Sequence, residues 1–389
     1  MPVARAELST TLRTAQHSGI REIMHLAQSV PDAIRLEVGQ PDYRTPAHIV
    51  EAAKQALDDG WHGYTPTAGL SSLRERIADK LLRVNGIDVG HEQVVCATGG
   101  AGVIAAAVMS LCNPGDEVLL PDPCWPNYVL LLATASAQPL RYPCPPHLGF
   151  LPDLERLEGL ITPRTRVLVI NSPNNPTGRV YPVDVLRQLG YIAERHGLWI
   201  VSDECYDQIL FDGQLVAPGM RAHSDPDRVV SSFTFSKTYA MTGWRLGYAV
   251  AAPQVVDTMI KAIEGTTSSP STVAQKAAEA ALDGPQDCVA EMVAGYRRRR
   301  DLVVDLLREA GLLLTVPEGA FYILGDISPT GMDSYAFAVQ LLRELGVAVA
   351  PGNAFGGVAG DAVRISLASS DQDLREGVGR LCDLVATLR

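Results

Sequence analysis

Two patterns of apolar and polar positions divide this chain. From Gln93 to about residue 270, short apolar runs alternate with longer segments in which apolar residues recur every three or four positions. Such alternation predicts strands and helices in turn, which is typical of an α/β fold with a mainly parallel sheet between helices. The predicted strands are Gln93–Ala97, Glu117–Pro121, Arg166–Asn171, Trp199–Asp203, Val229–Phe235 and Gly247–Ala251. The predicted helices are Gly102–Cys112, Trp125–Thr134, Val183–His196 and Val255–Ile263.

The two flanks of this region have a different pattern. Residues 1–30 are polar and mixed, which predicts an arm and a short helix, and Ile34–Tyr43 predicts a short strand broken at Gly39 and Pro41. Beyond about residue 270, strands of a smaller sheet are predicted. The further helices are Pro46–Gly60, Leu70–Val84 and Glu291–Glu309. The further strands are Ala320–Gly325, Val347–Ala350 and Val363–Leu367.

Length and composition narrow the class of protein. A chain of 389 residues is too long for one ordinary core and predicts two domains. A net charge of -11 argues against nucleic acid or an anionic membrane as the main partner. The seven cysteines are scattered without a C-x-x-C pair, so we expect reduced thiols in the cytoplasm and neither disulfides nor a metal site. We expect no signal peptide and no membrane span, because no basic-apolar leader and no apolar run of about 20 residues is present.

The segment Ser232–Tyr248 carries the most specific chemistry. Its lysine, Lys237, lies among small hydroxyl and apolar residues, where poor solvation favours the neutral amine. A neutral amine can hold an aldehyde as a Schiff base. Thr234 and Arg245 offer a hydroxyl and a positive fork that suit a phosphate, and one aldehyde that carries a phosphate is pyridoxal phosphate, PLP. The alternative is an ordinary buried lysine paired with a carboxylate.

A glycine-rich turn, Thr98–Ala105, supports two interpretations. Free amides at the start of a helix attract phosphate, and glycines let it approach closely. The same residues also match G-x-G-x-x-A, a dinucleotide fingerprint, and Asp122 follows about 20 residues later. A dehydrogenase is therefore a competing hypothesis, although this fingerprint is short and no second half of a dinucleotide fold is visible.

Four further candidates lie at or just beyond predicted strand ends. Trp125 could stack on a flat heterocycle, and Asn175 could donate its amide to a phenolic oxygen. Asp203 ends an apolar strand, so its carboxylate needs a cationic partner such as a protonated pyridine nitrogen. Tyr206 follows three residues later. Taken singly, core packing, a turn and a structural ion pair explain these residues equally well.

Candidates also lie outside the predicted large sheet. Gly39 allows a ligand to approach the backbone, and Tyr64 lies in an exposed loop from which it could reach a neighbouring site. Arg364 is a charged residue in an apolar strand, which suits a substrate carboxylate, although edge residues are often arginine. The run at residues 297–300 is interpreted as a solvated helix face or an intersubunit contact.

Five of these candidates fall on successive strand ends of one predicted sheet. Together they supply a stacking ring, a donor for a phenolic oxygen, a carboxylate for a ring nitrogen, an aldehyde-trapping amine and a phosphate cup. Over its whole length the chain resembles the fold-type-I PLP enzymes of the aspartate aminotransferase group. The resembling segments are Val38–Asp42, Tyr64–Leu70, Asn171–Gly178, Ser202–Tyr206, Ser236–Tyr248, Pro317–Tyr322 and Arg364–Ala368.

The resemblance implies a role for each site residue. Lys237 would form the aldimine with PLP and move the proton, with Asp203 at the pyridinium nitrogen. The other cofactor contacts implied are Asn175 and Tyr206 at the phenolic oxygen, Trp125 on the ring, and Thr234, Arg245, Gly100 and Ala101 at the phosphate. Tyr64 would reach the phosphate of the other subunit, which implies a homodimer. Arg364 would bind the substrate α-carboxylate, with Gly39, Trp125 and Asn175 lining the same site.

The resemblance also implies a fold and a reaction. It predicts a large PLP-binding domain with a seven-stranded sheet, at 46–275, and a smaller α+β domain built from both termini, at 1–45 and 276–389. The reaction is a ping-pong transfer of an amino group between an L-amino acid and a 2-oxo acid. Another PLP reaction on an amino acid, as in lyases, cyclases or oxidases, is the alternative. Gly102 is expected where aspartate-using relatives often carry a lysine.

Overall fold

The computed structural model describes residues 8–9, 13, 19–211, 213 and 215–389. Most of the predicted N-terminal arm therefore lies outside the described residues. The helices are α1 (Gly19–Ala27), α2 (Ala47–Asp58), α3 (Ser71–Lys80), α4 (Gly99–Leu111), α5 (Asn127–Thr134), α6 (Leu154–Gly159), α7 (Val183–His196), α8 (Phe235–Thr238), α9 (Pro253–Thr267), α10 (Thr272–Asp283), α11 (Asp287–Glu309), α12 (Ser334–Leu345) and α13 (Asp371–Leu388). Short helical turns fill several of the connections.

A large sheet forms the centre of the fold. Within the described residues it has seven strands in the order β2-β8-β7-β6-β5-β3-β4, and only β8 runs antiparallel to its neighbours. The strands are β2 (Val94–Ala97), β3 (Glu117–Asp122), β4 (Gln138–Pro143), β5 (Thr165–Asn171), β6 (Trp199–Asp203), β7 (Val229–Thr234) and β8 (Gly247–Val250). The mainly parallel sheet inferred from the strand and helix pattern is thus confirmed.

Helices cover both faces of this sheet because its central strands are apolar on both sides. On β5, Val167 and Val169 pack into one buried cluster, whereas Leu168 and Ile170 pack into another on the opposite face. Successive residues of a strand point to opposite faces, so an unbroken apolar run is the signature of a strand buried on both sides. These clusters fix the positions of the strand ends, where the polar candidates lie.

A smaller α+β unit combines both ends of the chain. Its three-stranded antiparallel sheet has the order β11 (Ala350–Pro351), β12 (Ala362–Ser366) and β9 (Tyr322–Asp326). In addition, β1 (Ile34–Arg35) pairs in parallel with β10 (Val347–Ala348). One buried cluster includes Ile23 and Leu36 from the first part of the chain and Val363 and Leu381 from the last part. The small domain built from both termini is therefore also confirmed.

Local sequence signals explain several helix boundaries. Helix α7 follows Pro182 and ends at Gly197, whose φ of 65° is the left-handed conformation that glycine adopts without steric cost. Helix α12 begins after Asp333, whose carboxylate accepts hydrogen bonds from two first-turn amides. Both ends of α7 agree with the sequence prediction, since Pro182 and Gly197 mark them in the sequence.

Three predicted features differ from the structure. The single strand predicted at Val347–Ala350 is divided between two sheets, since 347–348 pair with β1 and 350–351 pair with β12. The boundary predicted after residue 275 falls inside α10, which packs through Ala277 and Ala281 into the same cluster as Ile49 of α2. The arginine run is solvated only in its first half, because Arg299 and Arg300 are buried.

Candidate active site

A cleft of about 350 Å³ opens beside the carboxyl ends of the large sheet's central strands. Residues of the small sheet and of the segment after β1 complete its wall. The predicted site residues that line it are Gly39, Gly100, Ala101, Trp125, Asn175, Asp203, Tyr206, Thr234, Lys237, Arg245 and Arg364. Tyr64 lies outside this cleft and is 94% exposed. The chain thus brings together residues that are separated by more than half of its length.

Lys237 projects its amine into the cleft from α8, directly after β7. Thr234 ends β7 and caps this short helix by accepting a hydrogen bond from the amide of Ser236. The Nζ of Lys237 donates a 2.7 Å hydrogen bond to the carbonyl of Gly39. Burial lowers the pKa of Lys237 to about 8, and the positive charges of Arg364 and Arg245 act in the same direction. About a tenth of this amine is therefore neutral at pH 7, compared with less than about a thousandth at its ordinary pKa of 10.5.

Asp203 supplies a buried carboxylate at the end of β6. Its Oδ2 accepts a 2.5 Å hydrogen bond from the hydroxyl of Tyr128, and its backbone carbonyl accepts one from the Asn171 side chain. Burial raises the pKa of Asp203, while the Tyr128 hydroxyl opposes that change. A carboxylate in this environment favours a cationic partner in the cleft, because its charge is otherwise poorly solvated.

An anion cradle forms where α4 begins. Gly99 has a φ of 72°, and a Cβ at this position would lie 2.6 Å from Nη2 of Arg245, so only glycine lets the guanidinium approach the helix start. Thr234 lies beside the same turn, since a Cβ added to Gly100 would be 3.7 Å from its side chain. Free amides, a hydroxyl and a guanidinium together fit a phosphate group.

Arg364 provides a second fixed cation on β12. Nη1 donates to Oδ1 of Asn175 at 3.0 Å, and Nη2 donates to the carbonyl of Glu37 at 2.6 Å. The guanidinium carbon lies 4.3 Å from the ring centre of Tyr322 and 4.9 Å from that of Phe355. Among the described residues its Nε has no hydrogen-bond partner. Such a buried guanidinium, fixed by acceptors and rings, is prepared to bind a carboxylate.

Aromatic residues shape the rest of the wall. The hydroxyls of Tyr206 and Tyr322 are 3.0 Å apart, and a Cβ added to Gly39 would lie 2.7 Å from the Tyr322 hydroxyl. A residue with a side chain would therefore clash with Tyr322 at position 39, so glycine is required there for more than a turn. Trp125 packs edge to face against Tyr128 at 5.4 Å between ring centres.

Sequence reasoning missed other residues of the cleft wall. These are Ile20, Gln40, Asn127, Tyr128, Asn171, Cys205, Ser236, Thr242 and Tyr322. Tyr128 was within reach of prediction, because it follows Trp125 by three residues at the start of a helix. The expectation for Gly102, as the position where aspartate-using relatives often carry a lysine, needs correction. Ala101 lines the cleft, whereas a side chain at Gly102 would face Thr98 and Ala97. Residue 101 is therefore the position of this turn from which a side chain enters the cleft.

The dehydrogenase hypothesis does not agree with this geometry. A dinucleotide fingerprint belongs to a parallel strand within the sheet, but β2 is an edge strand that pairs antiparallel with β8. The carboxylate of Asp122, which should bind a ribose, instead accepts hydrogen bonds from the amides of Gly357 and Val358. The glycine-rich turn is therefore not part of a dinucleotide-binding fold.

The chemistry of the site and the sequence of the chain agree on one family. The buried amine, the buried carboxylate and the anion cradle at the strand ends together fit PLP and define the class of a PLP enzyme. The family model for aminotransferase class I and II matches residues 31–381, so the chain belongs to that family. The family implies PLP as the cofactor. The chain is an aminotransferase, also called a transaminase. These relatives do not support the lyase, cyclase and oxidase alternatives.

Similar proteins agree in sequence and in structure. The chain is 40% identical over 360 residues to an aspartate/prephenate aminotransferase of Thermus thermophilus, covering 92% of both chains. It is 37% identical to aromatic-amino-acid aminotransferase 2 of Thermococcus litoralis, covering 96% of this chain and 97% of the other. The solved structure of the Thermus thermophilus aspartate aminotransferase with maleate has a TM-score of 0.92 and 38% identity, covering 98% of this chain and 100% of the other.

Proposed function

We propose that this aminotransferase moves an amino group between an L-amino acid and a 2-oxo acid in two half-reactions, with Lys237 as the residue that binds PLP and transfers the proton. The observation that carries the proposal is the convergence of three charged groups on one cleft: the Lys237 amine, the Asp203 carboxylate and the Arg364 guanidinium. The amino and 2-oxo acid substrates are those of aminotransferases in general.

PLP, when bound, supplies an aldehyde that takes up the amino group and a ring that withdraws electrons from the substrate carbon. Asp203 is assigned to the ring nitrogen, because its buried carboxylate needs a cationic partner. Lys237, with its pKa lowered to about 8, can accept a proton at Nζ and return it within the same cleft. Trp125 and Tyr128, packed edge to face, form an aromatic part of the cleft wall beside these groups.

Other cleft residues are assigned to the remaining parts of PLP. Thr234, Arg245 and the amides of Gly100 and Ala101 would hold the phosphate in the anion cradle. Trp125 would contact the ring. Asn175 could donate its Nδ2 to the phenolic oxygen while its Oδ1 accepts from Arg364, and the Tyr206 hydroxyl would be a second donor.

The substrate carboxylate is assigned to Arg364. Its guanidinium is fixed by Asn175 and by the carbonyl of Glu37, so it can bind the carboxylate without reorganising. Gly39, Trp125 and Asn175 line the space next to it. The names of these relatives include aspartate, aromatic amino acids and the 2-oxo acid prephenate, so we propose aspartate or an aromatic amino acid as the donor and a 2-oxo acid as the acceptor.

We further propose a homodimer with shared sites. Tyr64 is 94% exposed and lies outside the cleft of its own chain, which suits a contact with the phosphate of PLP in the partner subunit. We also propose a cytoplasmic location, because all seven cysteines are free thiols. Over the described residues no helix is long and apolar enough to cross a membrane.

The domain division that we propose follows the sequence expectation with one change. The first segment is 1–45, the large domain begins at 46, and the small domain begins after α10 at about residue 284. Moving that boundary from 275 keeps α10 whole and leaves its apolar face in the core that it shares with α2.

The decisive variant for this function is Lys237→Ala. Protein purified with PLP should lose the visible absorbance of lysine-bound cofactor and should form no 2-oxo acid from an amino acid donor. Lys261→Ala is the matched control, because Lys261 is an exposed helix residue whose amine pairs with Asp257 one turn earlier. Normal turnover in Lys237→Ala would overturn the proposal, and a screen of amino acid donors for loss of the visible band would identify the substrate.

A further inference from the structure

Asp122 and Arg141 join two parts of the fold near the substrate site. Asp122 ends β3 and Arg141 lies on the neighbouring edge strand β4 of the large sheet. Both side chains reach the segment 355–358, which lies between β11 and β12 of the small sheet. Neither residue lines the cleft, and neither has a role in the reaction as proposed above.

Four hydrogen bonds hold this segment to the large sheet. Oδ2 of Asp122 accepts from the amide of Gly357 and Oδ1 accepts from the amide of Val358, each at 3.2 Å. The carbonyl of Phe355 accepts from Nη1 of Arg141 and from the amide of Cys124, each at 3.0 Å. Hydrogen bonds that involve a charged partner are the stronger kind, so Asp122 and Arg141 dominate this contact.

The backbone of the segment is fitted to this contact. Gly356 has a φ of 145°, a conformation that residues with a side chain rarely adopt. A Cβ at this position would lie 2.0 Å from Oδ1 of Asp122 and 3.0 Å from Nη1 of Arg141. The two charged side chains therefore converge on a position that only glycine can occupy.

The segment carries Phe355, which supports Arg364. Phe355 is fully buried, and its ring centre lies 4.9 Å from the guanidinium carbon of Arg364. Together with Tyr322 it fixes the guanidinium plane by contact with its face. A displacement of Phe355 would remove one of the two ring contacts of the guanidinium, so Asn175, Glu37 and Tyr322 alone would set the direction of its donors, on which carboxylate binding depends.

We propose that Asp122 and Arg141 are positioning residues for substrate recognition: they hold segment 355–358 against the large sheet so that Phe355 keeps Arg364 oriented towards the α-carboxylate. This inference rests on the proposed assignment of Arg364 to that carboxylate. It gives a role to Asp122, which the sequence placed where a dinucleotide-binding fold has its ribose ligand, and to Arg141 on the neighbouring strand.

Single-turnover kinetics of the PLP-loaded protein test the inference. The probes are L-phenylalanine and L-aspartate, and the comparison amine is 2-phenylethylamine, which is phenylalanine without its carboxylate. In Asp122→Ala and in Arg141→Met, the apparent dissociation constants of the two amino acids should rise about tenfold, equivalent to about 1.4 kcal/mol. The constant for 2-phenylethylamine should stay unchanged, because this amine has no carboxylate for Arg364 to bind.

Conservative and distant variants complete the kinetic design. Asp122→Asn and Arg141→Lys each keep part of the hydrogen bonding and should recover part of the lost affinity. Arg166→Met is the matched control, because Arg166 lies at the opposite, amino-terminal end of β5 and pairs with Asp116. The visible absorbance of bound PLP should be the same in all of these variants.

Hydrogen–deuterium exchange gives an independent measurement on the same proteins without substrate. The amides of Gly357 and Val358 should exchange faster in Asp122→Ala than in the wild type, while exchange in β12 stays slow. The inference would be overturned by unchanged exchange of these two amides or by unchanged affinity for the amino acids. An equal loss of affinity for 2-phenylethylamine would also overturn it. A wild type without lysine-bound PLP would instead overturn the proposed function, and with it this inference.

Discussion

The protonation of one residue, Lys237, should set the pH dependence of PLP uptake. Its pKa is lowered from 10.5 to about 8 by burial, with Arg364 and Arg245 adding to the effect. The amine attacks the aldehyde only when neutral, so the rate of PLP binding to the apoprotein should rise with pH and level off above about 8. Stopped-flow absorbance at a series of pH values measures this rate.

Substitution of a neighbouring charge tests the cause of that pKa. Arg364→Gln removes a positive charge that disfavours the protonated amine, so the midpoint of the rate profile should move to higher pH. Arg166→Met, at the other end of the sheet, should leave the midpoint where it is. A profile that stays flat around pH 8 would contradict the assignment of a neutral Lys237 as the reacting group.

Tyr128 should act on the reaction through Asp203. Its hydroxyl donates to the carboxylate at 2.5 Å and so favours the ionised form that a ring nitrogen requires. In Tyr128→Phe the pKa of Asp203 should rise further, and the acid limb of the pH–activity profile should move to higher pH. At neutral pH we expect roughly tenfold lower activity, since a hydrogen bond to a charged group is worth about 1.5–3 kcal/mol.

Tyr142→Phe is the control for this prediction. Tyr142 is as buried as Tyr128, but its hydroxyl donates to the carbonyl of Val169 and not to a charged group of the cleft. This variant should lose some stability and keep the wild-type pH profile. Identical profiles for Tyr128→Phe and the wild type would show that the hydroxyl does not influence Asp203.

Individual site residues were predictable from the sequence when they lie at, or a few residues beyond, the end of an apolar strand. Asp203, Lys237 and Asn175 follow apolar strands directly, and parallel strands bring their carboxyl ends to one edge. Tyr322 was not predictable in this way, because its contact with Arg364 depends on strand register in the small sheet, where Arg364 pairs with Leu324. Short antiparallel strands leave that register undetermined in the sequence.

At the scale of elements, the stability contributed by helix α11 should depend on its two buried arginines, Arg299 and Arg300. Arg299 is buried and forms a two-bonded pair with Asp42, at 2.9 and 2.8 Å, and it also reaches Asp371. Arg299→Met should therefore lower the free energy of unfolding by about 1.5–3 kcal/mol, because it removes the charge-assisted hydrogen bonds that the buried guanidinium donates to Asp42 and Asp371. Urea unfolding followed by circular dichroism measures the change.

The same helix provides a matched control two residues away. Arg297 is exposed, so Arg297→Met should change the free energy of unfolding by less than about 0.5 kcal/mol. Asp42 is also three residues from Gly39, whose carbonyl accepts from Lys237. Equal stabilities of the two variants would show that the buried pair contributes nothing to the fold.

Elements were predicted well where the apolar pattern was long and poorly where it was short or interrupted. Strand β6 and helix α7 were predicted with their observed bounds, whereas β4 was not predicted at all. Its sequence contains Pro139 and Pro143, which are tolerated because β4 is an edge strand. Residues 347–350 were predicted as one strand, but two sheets divide them. The division depends on which strands pair with each half, and the local sequence does not contain that information.

At the scale of the whole molecule, the exposed position of Tyr64 predicts that an active site needs two chains. If Tyr64 serves the partner's site, subunits with Lys237→Ala and subunits with Tyr64→Ala should complement each other. In a mixed dimer, one site contains both substitutions and the other contains neither. Random mixing makes half of the dimers mixed, so the activity should recover to about a quarter of the wild-type value.

Co-expression of the two differently tagged chains, followed by purification and activity assay, measures that recovery. Lys237→Ala combined with Asp203→Asn is the control pair, because both residues belong to the cleft of one chain and no mixed dimer has an intact site. Recovery in the first pair and none in the second requires Tyr64 to act across the interface. If the first pair also stays inactive although mixed dimers are present, Tyr64 must act within its own chain, and the shared site is wrong.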